Sequence, residues 1–432
     1  MTPFTLRASA FHTPGRGRLE YLPDALIRVS AAGVIETVEA AGDEAPDGPL
    51  ITLPQGQYLL PGMVDLHVHA PQWPQLGRAL DVPLEEWLQA HTFPLEARYA
   101  DLAFAQAVYG ELIDTLLAHG TTCAAYFGTI HLEATALLAQ LCLEKGQRAL
   151  VGKVAMDAPG ECPDYYRDAN AHAATTGTSQ LIERIAAMQP LGNPLVLPAI
   201  TPRFLPSCTE ELLGNLGALV RENPVHIQTH CAESAWEVAH GRTRFGGSDV
   251  AVLDGFGLLQ PHTLLAHGNF LSGPDRARIG ERGAAIAHCP LSNAYFAGRI
   301  LPAGEILAEG LRIGLGTDIS GGHSPSLLES ARFAVTASRM LAAQEGAAAI
   351  SVVEAFWMAT AGGGEALGLP IGVLAPGFEF DAIVIDTTGR PGLSEPLAHA
   401  DDTPGGVFEK IVRRAGRADI RKVWVRGREI GG

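Results

Sequence analysis

The sequence predicts a TIM-type (β/α)₈ barrel with a small β-sandwich domain built from both chain ends. Three observations predict it. Eight apolar runs between Tyr58 and Asp318 are each followed by a helical pattern. Those runs are continuously apolar, as strands buried on both faces are, and do not alternate. The chain on either side of them reads as short strands broken by turns.

The elements follow in order. FTLRASAFH is one strand, and ALIRVSAAGVIETVEA is two with a turn at Ala32-Gly33. YLLPGMVDLHVH opens the barrel. The amphipathic stretch YADLAFAQAVYGELIDTLLAHG ends at Gly120, and TTCAAYFG is the second strand. TALLAQLCLEKG and RALVGKVAM form the next helix and strand, then TSQLIERIAAMQ and LVLPAITP. TEELLGNLGALVRE precedes VHIQTH, SDVAVLDGFG precedes TLLAHG, and PDRARIGERG precedes AAIAHC. A short helix at Glu305–Glu309 leads to LRIGLGTD, and PSLLESARFAVTASRMLAA closes the series. After a helix near Val352–Ala361, GVLAPGFEFDAIVIDTT and ADIRKVWVRGREI return to strands. The expected division is 1–57 for the N-terminal part of the small β domain, 58–366 for the barrel, and 367–432 for the rest of the small domain. An open doubly wound sheet is the alternative, but no G-x-G-x-x-G follows the first strand and no P-loop is present.

Composition narrows the function. The 432 residues carry 31 Lys+Arg against 47 Asp+Glu, a net charge of −16. That balance argues against nucleic acid, whose phosphates are bound by clustered cations. Hydrophobic residues make up 47% and charged residues 18%, the reverse of a disordered chain. No apolar run approaches the roughly 18 residues of a membrane helix, and the N-terminus has no basic start followed by an apolar block. The six cysteines include no C-x-x-C pair, so a reducing cytoplasm is the expected compartment.

Active sites of such barrels sit at the C-terminal ends of the strands. Strand one ends in His67-Val68-His69, and strand five in His230 with Glu233 three residues on. Strand six ends in His267, strand seven in His288, and strand eight in Asp318. Residues i and i+2 of a strand share a face, so His67 and His69 both point into the barrel mouth. With His230 and Asp318 they form a set of three imidazoles and one carboxylate. That set suits zinc, with iron as the alternative, and leaves a position for water. The Cys-Pro after His288 favours a packing role at the barrel rim. Asp81, Glu85 and Glu86, in the segment after strand one, read as a solvated face.

PGMVDLHVHA, QTHCAES, LLAHG, IAHCPLSN and GLGTDISGGHSPSLLES resemble the amidohydrolase superfamily. HVHAPQW, EEWLQAHTFPLEARYAD, FGTIH, VGKVAMD and ITPRFLPSC narrow that resemblance to the guanine deaminases. The resemblance implies that His67, His69, His230 and Asp318 hold the metal, and that Glu233 shuttles protons. It implies that His267 orients the attacking water. It puts Gln72, Arg203 and Phe204, with His230 and His267, beside the substrate. Two-metal members need a lysine at the end of strand four; LVLPAITP has none, so one ion per chain is expected. The implied reaction is hydrolysis of guanine to xanthine and ammonia, and the implied assembly is a homodimer.

Residue chemistry agrees with that implication. Arg203 has donors only, which suits a carbonyl such as O6 of guanine and leaves the amino group of adenine unsatisfied. The Gln72 amide offers both a donor and an acceptor, and Phe204 could stack on a base or simply pack. Another oxo-purine, a pterin or a triazine would use the same metal residues. A catalytically dead scaffold is disfavoured by the intact set. A cytidine-deaminase fold fails for want of P-C-x-x-C, although His131-Leu132-Glu133 supplies H-x-E.

Overall fold

A computed structural model describes residues 1–42, 48–190, 192–390, 392 and 394–431. Five strands open the chain: β1 (Phe4–Gly15), β2 (Arg18–Val29), β3 (Ile35–Ala40), β4 (Leu50–Thr52) and β5 (Gln57–Pro61). Eight barrel strands follow: β6 (Met63–His69), β7 (Thr121–Phe127), β8 (Arg148–Ala155), β9 (Val196–Pro202), β10 (His226–Cys231), β11 (Thr263–His267), β12 (Ala285–His288) and β13 (Arg312–Leu315). The last three are β14 (Ala382–Asp386), β15 (Ile420–Val425) and β16 (Arg428–Ile430).

The strands from β6 to β13 pair in parallel in sequence order, with helices between them. This is the (β/α)₈ barrel that the apolar runs predict. Its interior is filled by Val64, Leu66, Ala125, Leu150, Leu264 and Ala287, all buried. The seam between first and last strands closes beside the histidines. Asp318 N–H donates to the His67 carbonyl at 2.9 Å, and His69 N–H to the Ile319 carbonyl at 3.0 Å. Asp65 reinforces it, accepting from Thr317 N at 2.9 Å and Thr317 Oγ1 at 2.6 Å.

The other strands form one mixed sheet in the order β16-β15-β14-β5-β1-β2-β3, with β4 on β1. Both chain ends build it, and Leu6, Ile27, Leu59, Phe380, Val384 and Trp424 make its core. The expected single strand Tyr58–His69 is divided: β5 belongs to this sheet and β6 to the barrel. The break falls at Gly62, where an added Cβ would lie 2.3 Å from Thr122 Oγ1, so only glycine allows the close approach. Buried Arg148 of β8 ties the two sheets together, with Nε 3.0 Å from Asp381 Oδ2 and Nη2 3.2 Å from Asp381 Oδ1.

Helix ends carry the signals their positions require. Asp101 caps Leu102–Ala118, accepting from Ala103 N and Phe104 N, and Ser272 forms a capping box with Asp275. The helices that were not anticipated include Ala235–Phe245, Ala361–Leu367, Pro404–Arg414 and the short Phe93–Ala97. Among the described residues no helix is long and apolar enough to cross a membrane.

Candidate active site

The residues expected at the strand ends come together. His67 and His69 end β6, His230 sits in β10, and His267 ends β11. Val68 packs outward among the helix-layer residues, opposite His67 and His69, and a register irregularity between Asp65 and Val68 lets Leu66 face inward. Asp318 lies three residues beyond β13 with φ +50, and His267 has φ +75. Non-glycine residues rarely adopt that conformation, and here it occurs at two members of one cluster.

The side chains converge. His67 Nε2 is 3.2 Å and His69 Nε2 3.7 Å from Asp318 Oδ1, and the Nε2 atoms of His69 and His230 are 2.9 Å apart. His230 Nδ1 donates to the Arg203 carbonyl at 2.5 Å, which leaves its Nε2 bare. His267 Nδ1 lies 2.9 Å from Asn293 Oδ1, the same arrangement, so its Nε2 is bare as well. That nitrogen lies 3.6 Å from Glu233 Oε1 and 3.9 Å from Asp318 Oδ2. His67 Nε2 and His267 Nε2 are buried without a hydrogen-bond partner. The ligand atoms of His67, His69 and Asp318 all lie within 4.8 Å of one another, as do those of His67, His230 and His267. Facing lone pairs, orphaned nitrogens and a carboxylate form a donor set that fits a cation.

Electrostatics separate the two acids. Burial and then the neighbouring His67 imidazole push His69 well below its ordinary value, and the same causes act on His230. Burial alone would raise the Asp318 carboxyl, but His67, His267 and His69 outweigh it and hold it well below the carboxylate range. Glu233 goes the other way: burial, followed by the Asp318 charge, pushes it up to about 8. One carboxyl is thereby held ionised and the other favours its protonated form, the separation of states on which an acid–base pair depends.

His69, Gln72, Arg203, Phe204, Glu233 and Asp318 line one pocket. Gln72 lies in the turn Ala70–Gln75 that follows β6, and Arg203 and Phe204 directly follow β9. The Phe204 ring packs 5.9 Å from Trp236 and 6.2 Å from His230. The pocket also takes Leu84, Trp87 and Leu88 from the segment after β6, and Phe296 from beyond β12. Glu85, Glu86 and Asp81 of that segment face solvent, as expected. His288 is buried, and burial lowers it to about 3, so it stays neutral; its Nδ1 has no partner.

Several contributors were missed. Glu96 is fully buried and pairs with Arg203, Nη1 to Oε2 at 2.6 Å and Nη2 to Oε1 at 3.2 Å. Arg203 is therefore both ion-paired and pocket-lining. Asn293 orients His267, and nothing in CPLSN alone separates that asparagine from an ordinary helix-start residue.

The model of the Amidohydrolase family matches residues 58–430. The guanine deaminase of Dictyostelium discoideum is 34% identical, over 98% of this chain and 97% of its own length. That of Homo sapiens is 35% identical over 98% and 96%. A crystal structure of guanine deaminase from C. acetobutylicum with bound guanine in the active site superposes with a TM-score of 0.91 at 32% identity, covering 99% of this chain and 100% of that one. Family, length and fold agree: this chain is a member of the amidohydrolase family, with guanine deaminases among its full-length relatives.

Proposed function

We propose that this protein hydrolyses guanine to xanthine and ammonia, holding one zinc ion per chain through His67, His69, His230 and Asp318. The observation that carries the reading is a single pocket lined by the donor-only Arg203, the proton-carrying Glu233 and the Asp318 carboxylate. When bound, the ion supplies Lewis acidity that makes a water nucleophilic near neutral pH.

The side chains do the rest. Arg203 donates to O6, using N–H groups not taken by Glu96; a guanidinium has five. Gln72 and Phe204 fix the ring edge and face. The His267 Nε2 lone pair orients the attacking water, and Asp318 takes a proton from it as its oxygen adds to C2. Glu233 gives its proton to the adjacent ring nitrogen, becoming a carboxylate. The proton that Asp318 took from water passes through Glu233 to the exocyclic nitrogen. The C2–N bond breaks and ammonia leaves, and the C2 hydroxyl gives its proton to the Glu233 carboxylate as the C2 carbonyl forms, which restores both acids. Leu84, Trp87 and Leu88 wall off the substrate from bulk water, which strengthens each of these contacts. The reading carries a cytoplasmic homodimer as its assembly, and sedimentation checks the dimer.

The test is product analysis across guanine, 8-oxoguanine, adenine, cytosine, a pterin and a triazine. Equal amounts of xanthine and ammonia from guanine are expected. Ammonia from another member of the panel and none from guanine would overturn the reading.

A further inference from the structure

Glu96 takes no part in the steps above, yet it touches two residues that do. It lies on the short helix Phe93–Ala97, between β6 and β7, and is fully buried. Besides its paired contacts with Arg203, it accepts from Gln72 Nε2 at 2.9 Å. The other end of the Gln72 amide is also held, with Oε1 accepting from Ser320 N at 3.2 Å. Arg203 lies 5.0 Å over the Phe93 ring, three residues before Glu96.

Two physical consequences follow. Arg and Gln carry large rotamer entropies, and one carboxylate fixes both side chains before a substrate arrives. The carboxylate also cancels the buried guanidinium charge. A buried guanidinium without that partner would draw an anion into the pocket.

We propose that Glu96 is the positioning residue that sets substrate choice: it fixes the Arg203 and Gln72 donors and neutralises the guanidinium, so that the pocket takes a neutral oxo-purine over an anionic one. This rests on the guanine reading. The role differs from structural support, because it predicts a change in which ligands bind and not only in how well the protein folds.

The test compares Glu96→Gln with the wild-type metal-loaded enzyme. Metal content should be unchanged. The kcat/KM for guanine should fall by about ten- to a hundred-and-fifty-fold, the usual scale for a charged hydrogen bond, mostly through KM. The preference for guanine over 2-aminopurine, which lacks O6, should narrow. Inhibition by xanthine should strengthen about tenfold at a pH where xanthine is a monoanion, because the exposed guanidinium would gain an ionic partner. Equal losses on both purines with unchanged xanthine inhibition would overturn the proposal. If Glu96→Gln does not fold, Glu96→Gln/Arg203→Met removes both charges together. Its guanine to 2-aminopurine ratio should match that of Arg203→Met alone, and a further narrowing would show that Glu96 does not act through Arg203. Wild-type enzyme that leaves guanine untouched would sink the functional reading. An active wild type with an unaltered Glu96→Gln would sink only this inference.

Discussion

The Glu233 N–H donates to the Glu237 carboxyl at 2.6 Å, four residues further along the chain. One residue earlier, Ala232 N–H donates to Asp249 Oδ2 at 2.7 Å. Two buried acids thus hold the backbone that carries the proposed proton shuttle. Burial, with the Asp249 charge added, pushes Glu237 well above its ordinary value, and burial raises Asp249 too. Asp275 adds to the negative charge around Asp249, and Arg242 offsets part of it.

A pH dependence of stability follows. A carboxyl whose pKa is raised on folding binds its proton more tightly in the folded state. Its contribution is complete below the unfolded value of 4.5 and is lost as pH climbs through the folded pKa. The melting temperature of the wild type should fall as pH rises above the unfolded value of 4.5 toward the raised folded pKa, and that of Glu237→Gln should fall less steeply. Gln keeps an acceptor for Glu233 N–H, so the comparison isolates the titration. Parallel curves in a calorimetric pH series would remove Glu237 from the account.

Glu233→Gln tests the proton shuttle itself. The variant should retain its metal and lose on the order of 10²–10⁴ in turnover. Single-turnover kinetics separates chemistry from binding. Guanine deamination at near wild-type rate would assign the proton transfer elsewhere.

Arg203→Met tests the reading of O6. Guanine kcat/KM should drop by about ten- to a hundred-and-fifty-fold, with zinc content unchanged. The ratio of guanine to 2-aminopurine is the quantity to follow, because general damage cancels in it. An unchanged ratio would mean that Arg203 serves only its ion pair with Glu96.

Elemental analysis tests the metal set. About one zinc per chain is expected, since no lysine stands at the end of β9 to bridge a second ion. A chelator should abolish turnover, and His67→Ala should lower metal content. Two tightly held ions per chain would contradict the mononuclear site.

The convergence of the candidate ligands was legible because each stands at a strand end: the strand period orients His67 and His69, His230 lies in β10, and Asp318 follows β13. Glu96 was not legible. Glu85, Glu86 and Glu96 share one segment, and only the last is buried; the partner that compensates its charge, Arg203, stands 107 residues away, so the segment itself gives no sign of it. The same holds for Asn293 with His267 and for Asp249 with Ala232, pairs that only the closed barrel brings together. Tyr58–His69 read as one strand because both halves are apolar, and apolarity does not record which sheet a strand joins. The helix Pro404–Arg414 stood among strand-like tail segments that drew the reading toward β structure.

In the proposed pocket Arg203, held by Glu96, selects an oxo-purine for the acid–base pair Glu233 and Asp318. The most direct measurement is the ratio of kcat/KM for guanine to that for 2-aminopurine, which keeps the C2 amine and lacks O6, with metal-loaded wild-type enzyme. A pocket built to hydrogen-bond a carbonyl rejects an analogue that lacks it by about 10⁴-fold or more, so guanine should win by that margin. A ratio near one, or a preference for 2-aminopurine, would show that O6 is not what the pocket reads.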